Sequence, residues 1–230
     1  MKLWLDIEAI PTQNPKLVEY VAASVTHPAS MKKAETIAKW EAEEKPAAVE
    51  EALRKTALDP FFGEVICVAI AINDSDPVAV WREPHEPEAN LLRQLSEEIN
   101  EQIKAHSASG HREPTICGYN VLDYDLRFLA VRYAIHRTIM PPHKLMRLMW
   151  LNSIKPWSDD VLDVMTYAAG PRGRIAMDRL CHALGIDGKG DITGATVWDA
   201  VRDGRLLDVV DYCRADVVRT RELYRALGGL

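Results

Sequence analysis

The first eleven residues alternate between apolar and polar positions, which is typical of a β-strand. One side of the predicted strand is apolar and consists of Leu3, Leu5 and Ile7. The other side carries Trp4, Asp6 and Glu8, so two carboxylates occupy consecutive positions on one face. Such carboxylates repel each other, and burial strengthens the repulsion unless a divalent cation such as Mg²⁺ or Mn²⁺ neutralises it. The alternative is an edge strand with a solvated acidic face.

Two later apolar runs predict further strands of the same sheet. Glu64–Ile72 is an uninterrupted apolar run of strand length, which is typical of a central strand. Turn residues follow it, and Val78–Trp81 then predicts a third strand joined to the second by a short connection. The three closely joined strands favour an antiparallel meander, and residues 115–119 predict a fourth, short strand.

Helical periodicity accounts for much of the remaining chain. The predicted helices cover residues 87–105, 124–137, 158–168, 174–184, Val197–Arg202 and 206–227. Residues 16–57 are also helical, with interruptions near Pro28 and at Pro46, and they are too short and polar to form a core of their own. We therefore interpret them as a helical insertion. Residues 139–157 show too little periodicity to assign. The order of elements predicts an α/β fold, with a mixed β-sheet flanked by helices, in one domain of residues 1–230.

Composition and charge restrict the function classes without selecting one. A net charge of −6 argues against broad electrostatic binding of duplex nucleic acid, but it is compatible with an enzyme that holds a short single-stranded end. The four cysteines are scattered, which predicts buried free thiols of a reducing compartment, and the seven histidines lack the spacing of a zinc site. Because we find no signal peptide and no apolar run that would span a bilayer, we expect a soluble cytoplasmic protein.

Two later stretches carry further carboxylates. After the strand predicted at residues 115–119, Asp123 is a candidate N-cap, and Asp125 falls in the first turn of the next helix, at the mouth of the sheet. In the last predicted helix, Tyr212 and Asp216 are four positions apart and share one face beside the apolar stripe. Each stretch alone has a simpler explanation. The two aspartates could complement the helix dipole, and the tyrosine and aspartate could form a surface pair.

Taken together, these motifs resemble those of the DEDD (DnaQ-like) 3′–5′ exonuclease superfamily, which has a ribonuclease H-like fold. In chain order the motifs are Asp6-x-Glu8, Asn120-x₃-Tyr124-Asp125 and Tyr212-x₃-Asp216. The tyrosine variant of the superfamily fits, because Asp211 stands where the other variant would have a histidine. Within the superfamily the chain is similar to predicted exonucleases related to the proofreading domain of family-B DNA polymerases. Residues 56–59, 188–192 and 212–217 extend this likeness.

The resemblance implies a nuclease that uses two ions of Mg²⁺ or Mn²⁺ to hydrolyse single-stranded DNA from its 3′ end. By this resemblance Asp6, Glu8 and Asp216 hold the ion that activates the attacking water. Asp6 bridges to the second ion, which Asp125 holds largely through water, and Glu8 also meets the terminal 3′-hydroxyl. Tyr212 orients the attacking water, because an unperturbed phenol is too weak an acid to act as a strong base at neutral pH.

Three residues are predicted to contact the nucleic acid, namely Ile7, Asn120 and Lys189. Asn120 would position the backbone of the substrate, and the alternative is an asparagine that forms the turn closing the strand. Lys189 lies between two glycines that permit close approach of a phosphate, but it is equally consistent with a solvated loop lysine. Asp163 is explained more simply as an acidic residue at the start of a helix than as a residue that supports the site.

Two other functions remain open at this point. The same chemistry could act on RNA or short oligonucleotides, since no motif decides whether a 2′-hydroxyl is recognised. A non-catalytic ribonuclease H-like module could instead bind nucleic acid or a replication protein, although such a module has no physical need for four clustered acids. The resemblance implies a role in DNA replication or repair. Protein partners are not predicted, and no contact with a membrane is expected.

Overall fold

The computed structural model describes residues 1–106, 113–137, 158–188 and 190–229, and a five-stranded mixed sheet lies at their centre. Its strands are β1 (Lys2–Ile10), β2 (Glu64–Ile72), β3 (Val78–Trp81), β4 (Thr115–Gly118) and β5 (Val161–Asp163). They are arranged in the order β3-β2-β1-β4-β5. The pairs β3–β2 and β2–β1 are antiparallel, which confirms the predicted meander, whereas β1–β4 and β4–β5 are parallel.

Strand β1 is an interior strand, so the alternative of an edge strand with a solvated acidic face is wrong. It pairs with β2 on one side and with β4 on the other. Its alternation is that of a strand buried on both faces, since Leu5 belongs to one hydrophobic core and Trp4 to the other. The side chains of Asp6 and Glu8 are therefore directed toward the face that carries Trp4.

Helices cover both faces of the sheet. In chain order they are α1 (Pro15–Ser24), α2 (Ala34–Glu43), α3 (Lys45–Lys55), α4 (Glu88–His106), α5 (Asp125–Ile135), α6 (Val164–Ala169), α7 (Met177–Leu184), α8 (Val197–Arg202) and α9 (Leu206–Ala226). The core on one face is formed with α4 and α5, and the core on the other face with α6 to α9. The predicted α/β fold with a mixed sheet flanked by helices is thus confirmed.

The helical insertion consists of α1, α2 and α3, followed by a short 3₁₀ turn at Thr56–Leu58. Pro46 lies in the first turn of α3, where a missing backbone N–H costs nothing, and the interruption is at Glu44. Arg54 of α3 forms a bidentate ion pair with Asp199 of α8, with N–O distances of 3.1 and 2.7 Å. This pair ties the insertion to the α9 side of the sheet.

Two local predictions are wrong. Residues 161–163 form strand β5 and not part of a helix, because pairing with β4 decides the conformation of a segment too short to show a period. Asp123 is not the N-cap of α5. Tyr124 takes that position without a side-chain hydrogen bond, and the Asp123 carboxylate instead pairs with Arg174. The unassigned residues 139–157 lie outside the described residues.

The prediction of buried free thiols is confirmed, because all four cysteines are free and buried. No helix within the described ranges has both the length and the apolar character that crossing a bilayer requires.

Candidate active site

Three of the predicted carboxylates meet on the α9 face of the sheet. Oxygen atoms of Asp6, Glu8 and Asp216 lie within 4.8 Å of one another. Glu8 and Asp216 are buried, with 8% and 3% of their surface exposed, and Asp6 is half-buried. The interior position of β1 fixes the first two side chains. Helix α9 is fixed against the same strand by apolar packing and by the Cys213 thiol, whose sulfur lies 3.4 Å from the Asp6 carbonyl oxygen.

Asp125, the fourth predicted carboxylate, lies beside this group and is not one of the three that converge. It is 3% exposed at the start of α5, and its Oδ1 accepts a hydrogen bond of 3.0 Å from the backbone N–H of Ile7. Burial raises the pKa of the Asp125 carboxyl well above its usual value, and the charge of Asp6 raises it further. The hydrogen bond to Ile7, the residue that follows Asp6, places Asp125 close to Asp6.

Tyr212 lies at the buried edge of the carboxylate group. It is 7% exposed, and its hydroxyl is hydrogen-bonded to Asp216, one helical turn further along α9. Burial raises the pKa of the Tyr212 phenol strongly, and the charges of Glu8 and Asp216 add to the increase. The phenol therefore keeps its proton at neutral pH, so it can donate a hydrogen bond but cannot act as a base.

Sequence reasoning missed Arg219, which forms an ion pair with Asp216 across a distance of 2.6 Å. The pair is largely buried, with 15% of the Arg219 side chain and 4% of the Asp216 side chain exposed. The spacing of three positions on α9 is the sequence signal that could have found it. Arg219 holds one oxygen of Asp216 and adds a positive charge next to three carboxylates.

Tyr124 was part of the second motif but was not assigned a role. Burial raises the pKa of its hydroxyl, and the charges of Asp125, Glu8 and Asp6 raise it further, so this tyrosine lies near three of the four acids. It also lines a cavity of about 410 Å³ between the 3₁₀ turn and the start of α5. Phe61, on the rim of this cavity, is 58% exposed. This cavity is large enough for a small ligand.

Asn120 and Asp163 build the turn that leads to Asp125. Asn120 has a φ angle of 59°, a conformation that asparagine tolerates better than most residues. The Asp163 carboxylate accepts hydrogen bonds from the backbone N–H groups of Asn120 and Leu122, and it also caps α6. Asn120 is therefore a turn-forming residue in this structure, and its contact with nucleic acid stays a prediction. Asp163 does start a helix, as expected, and it also fixes the turn.

The remaining predicted contacts have different positions. The side chain of Ile7 is buried in the core on the α4 face, at 3% exposure, and its backbone N–H is occupied by Asp125. Lys189 lies outside the described residues. A nucleic-acid contact of either residue stays a prediction.

The converging carboxylates fit a divalent cation. Carboxylate oxygens are the ligands that Mg²⁺ and Mn²⁺ prefer, and three of them within 4.8 Å of one another can bind one ion together. Without a cation, mutual repulsion of partly buried carboxylates would oppose this arrangement.

Comparison with known proteins identifies a family and supports the fold. A family model described as "Predicted 3'-5' exonuclease related to the exonuclease domain of PolB" matches residues 58–227. The structure is similar to that of the family B DNA polymerase from the hyperthermophilic archaeon Pyrobaculum calidifontis, with a TM-score of 0.57 and 16% sequence identity. That similarity covers 98% of this chain but only 24% of the polymerase chain. No curated protein matches this chain.

Proposed function

The chain belongs to the family of predicted 3′–5′ exonucleases related to the exonuclease domain of PolB, and we propose that it hydrolyses single-stranded DNA from the 3′ end with the help of divalent cations. One observation supports this proposal most strongly. The matched residues 58–227 include Asp216 but exclude Asp6 and Glu8, yet the fold brings all three carboxylates together. A metal-dependent nuclease needs such a group of converging carboxylates.

We propose that Asp6, Glu8 and Asp216 would hold one divalent ion, and that Asp6 and Asp125 would help to hold a second. Two ions of Mg²⁺ or Mn²⁺, when bound, would supply positive charge beside the attacking and leaving oxygens of the phosphodiester. The protein itself orients these carboxylates. Arg219 fixes one oxygen of Asp216, and the N–H of Ile7 fixes one oxygen of Asp125.

Tyr212 is assigned to the attacking water. Its phenol stays protonated because burial and the neighbouring carboxylates raise its pKa, so it can hold a water molecule by a hydrogen bond without removing a proton from it. The cavity of about 410 Å³ lined by Tyr124 and Phe61 supports the proposal further, because it is large enough to admit a small ligand such as a terminal nucleotide.

Digestion of 5′-labelled single-stranded DNA and RNA with Mg²⁺, with Mn²⁺ and with EDTA tests this function. We expect a ladder that shortens from the 3′ end, requires a divalent ion and stops at a blocked 3′ end. The variants Asp6→Ala and Asp216→Ala should abolish it. Asp208→Asn is the matched control, because Asp208 is an exposed carboxylate on the same helix that pairs with Arg205 away from the site. The polymer that is digested faster identifies the substrate class.

Thermal unfolding with and without Mn²⁺ separates an enzyme from a binding module. An ion that binds only the folded protein stabilises it by about 2.7 kcal/mol at a concentration one hundred times its dissociation constant. Cleavage together with this stabilisation supports the exonuclease. Stabilisation without cleavage of either polymer would contradict the exonuclease and favour a non-catalytic module that binds metal.

A further inference from the structure

Exposed aromatic and apolar side chains gather on the helical insertion and on the turn that follows it. Leu58 is 71% exposed, Phe61 is 58% exposed, and Tyr20 of α1 is 63% exposed. The Tyr20 ring stacks on the ring of Phe62, with the centroids 5.9 Å apart and the planes inclined by 27°. Single exposed apolar residues are ordinary on a protein surface, but a group of them marks an interaction site. We call Tyr20, Leu58, Phe61 and Phe62 the apolar shelf.

Asp59 fixes the turn that presents the two phenylalanines. Its Oδ1 accepts a hydrogen bond of 2.9 Å from the N–H of Phe61, and its carbonyl oxygen accepts from the N–H groups of Phe62 and Gly63, at 3.0 and 2.7 Å. At Gly63 a Cβ atom would lie 2.5 Å from the carbonyl oxygen of Thr56, so two backbone segments approach closely there. A turn held in this way keeps the backbone of Phe61 in one conformation, which lowers the entropy cost of binding a ligand.

The apolar shelf leads into the cavity of about 410 Å³ that Tyr124 lines. Leu58 and Phe61 line the same cavity, and Phe62 is the next residue along the turn. Because Tyr124 also lies near three of the four acids, it connects the shelf with the proposed active site.

Arg127 gives this cavity a positive charge that a ligand can use. It is exposed, it lines the cavity, and it forms no ion pair within the described ranges. The two carboxylates of the described lining have other partners, since Asp123 pairs with Arg174 and the Oδ1 of Asp59 accepts the N–H of Phe61. A planar guanidinium is well suited to phosphate oxygens. Exposed rings beside such a cation are the combination that binds single-stranded nucleic acid, because the rings stack with bases and the cation holds the backbone.

We propose that the apolar shelf and Arg127 bind the single strand upstream of its terminal nucleotide, with bases stacked on Tyr20 and Phe61 and a backbone phosphate on Arg127. This inference rests on the proposed function, because the strand is the substrate of the acidic site. The family match begins at residue 58, so α1 with Tyr20 lies outside it, and the helical insertion supplies part of the strand-binding surface. Every base has a flat face that can stack, so binding should be independent of sequence.

Fluorescence anisotropy with a labelled oligothymidylate of about 12 nucleotides tests the inference. The full chain is used in EDTA, so that binding is measured without hydrolysis. Tyr20→Ala and Phe61→Ala should each weaken binding about fivefold or more, because a stacked base is lost. Tyr20→Phe and Phe61→Tyr keep a ring and should bind like the wild type. Phe61→Leu keeps an apolar contact without a ring and should bind as weakly as Phe61→Ala. Because both side chains are more than half exposed, these variants should fold.

Two matched controls separate the shelf from the rest of the surface. Tyr167 is 50% exposed and packs on another aromatic ring, that of Tyr224, which lies beside Lys2. Tyr167→Ala should therefore leave binding unchanged. Arg127→Gln should reduce the slope of log affinity against log salt concentration by about 0.7, the value for one phosphate contact with a single strand. Arg93→Gln, which changes an exposed arginine on α4, should leave that slope as it is.

The inference is overturned if the wild-type chain does not bind the oligonucleotide, or if Tyr20→Ala and Phe61→Ala bind it as the wild type does. In the second case the shelf fits an apolar protein partner instead. Equal weakening by Tyr167→Ala would overturn it too, because binding would then not be located at the shelf.

Digestion of the same oligonucleotide with Mg²⁺ separates this inference from the proposed function. Binding that the shelf variants weaken, without hydrolysis by the wild type, would support the shelf and contradict the exonuclease. Hydrolysis with an unchanged KM in Tyr20→Ala and Phe61→Ala would support the exonuclease and contradict the shelf.

Discussion

Two sites with buried carboxylates lie on opposite faces of the sheet, and they differ in how the negative charge is balanced. On the α4 face, Glu88 is 4% exposed and accepts hydrogen bonds from Arg132, at 2.6 to 3.0 Å, from His136 at 2.8 Å and from the N–H of Val65 at 2.7 Å. One carboxylate is thus surrounded by donors. On the α9 face, by contrast, three carboxylates converge, and Arg219 forms an ion pair with one of them.

The pKa values of carboxyl groups in the two regions are shifted in opposite directions. Burial acts to raise the pKa of Glu88, but hydrogen bonds from His136 and Arg132 and the charge of Arg132 outweigh it, so the pKa is lowered from 4.5. Beside the three converging carboxylates, burial raises the pKa of Asp125, and the charge of Asp6 raises it further. The first region is neutralised by the chain itself, which is typical of a structural ion pair. The raised pKa of Asp125 favours binding of a proton or a cation in the second region, which is typical of a functional site.

The largest effect is expected at the acidic site from Asp6→Asn. Hydrolysis should fall by about 10³-fold or more, because a group that holds charge-stabilising metal in the reaction is lost. Stability in EDTA should stay the same or rise, because one of three mutually repelling charges is gone. Single-turnover digestion and thermal unfolding measure the two effects. A clear loss of stability in EDTA would contradict the comparison, because Asp6 would then be a structural residue like Glu88.

The complementary change is Glu88→Gln, which should destabilise the fold and spare the chemistry. Removing one partner of a buried ion pair costs about 3–5 kcal/mol, because the Arg132 charge stays buried without its counterion. Urea denaturation measures this loss, and activity per folded molecule should be unchanged. Glu97→Gln is the control, since Glu97 is exposed on the same helix. Equal stability of the two variants would show that the Glu88 network does not balance its own charge.

An intermediate effect is expected from Tyr212→Phe. The rate constant for hydrolysis should fall by about 10²-fold, because the attacking water loses a hydrogen bond that orients it. Stabilisation by Mn²⁺ should persist, since the carboxylates are untouched. Because the pKa of this phenol is raised, the pH–rate profile of the wild-type protein should show no ionisation of Tyr212. A rate equal to that of the wild type would remove Tyr212 from the mechanism.

The smallest effect is a pH dependence of stability that belongs to Glu88. Because its pKa is lower in the folded state than the usual 4.5, the folded protein binds fewer protons than the unfolded chain in the window below pH 4.5. The stabilisation is complete above that window and is lost as the pH falls through the folded-state pKa. Urea denaturation at pH values between roughly 3 and 6, about one unit or more on either side of the usual glutamate pKa, measures this effect. The free energy of unfolding should fall less steeply with decreasing pH in Glu88→Gln than in the wild-type protein. Identical slopes would contradict the lowered pKa.

Those features of the acidic site that depend on the periodicity of a single strand or helix could be predicted from the sequence. Alternation in β1 placed Asp6 and Glu8 on one face, and helical spacing placed Tyr212 one turn from Asp216. The predicted apolar run Glu64–Ile72 has the same first and last residues as strand β2. These features depend on local periodicity, which the chain carries in its residues.

Features that depend on partners distant in sequence could not be predicted in this way. Strand β5 exists because β4 pairs with it, and the Asp163 carboxylate holds the turn at Asn120 from 43 positions away. A cavity at the amino end of β1 is lined by both Lys2 and Arg221, from opposite ends of the chain. In each case neither segment has a pattern that identifies the other, so only the folded arrangement shows the contact.

The most direct test of the account is anomalous diffraction from crystals of the protein soaked in Mn²⁺. We expect a manganese peak within coordinating distance of the oxygens of Asp6, Glu8 and Asp216 and a loss of that peak in Asp6→Asn. Glu88, which the chain neutralises by itself, should attract no ion. A map with no peak at the three carboxylates, in crystals whose lattice leaves them open to solvent, would contradict the central claim that these acids form a metal site.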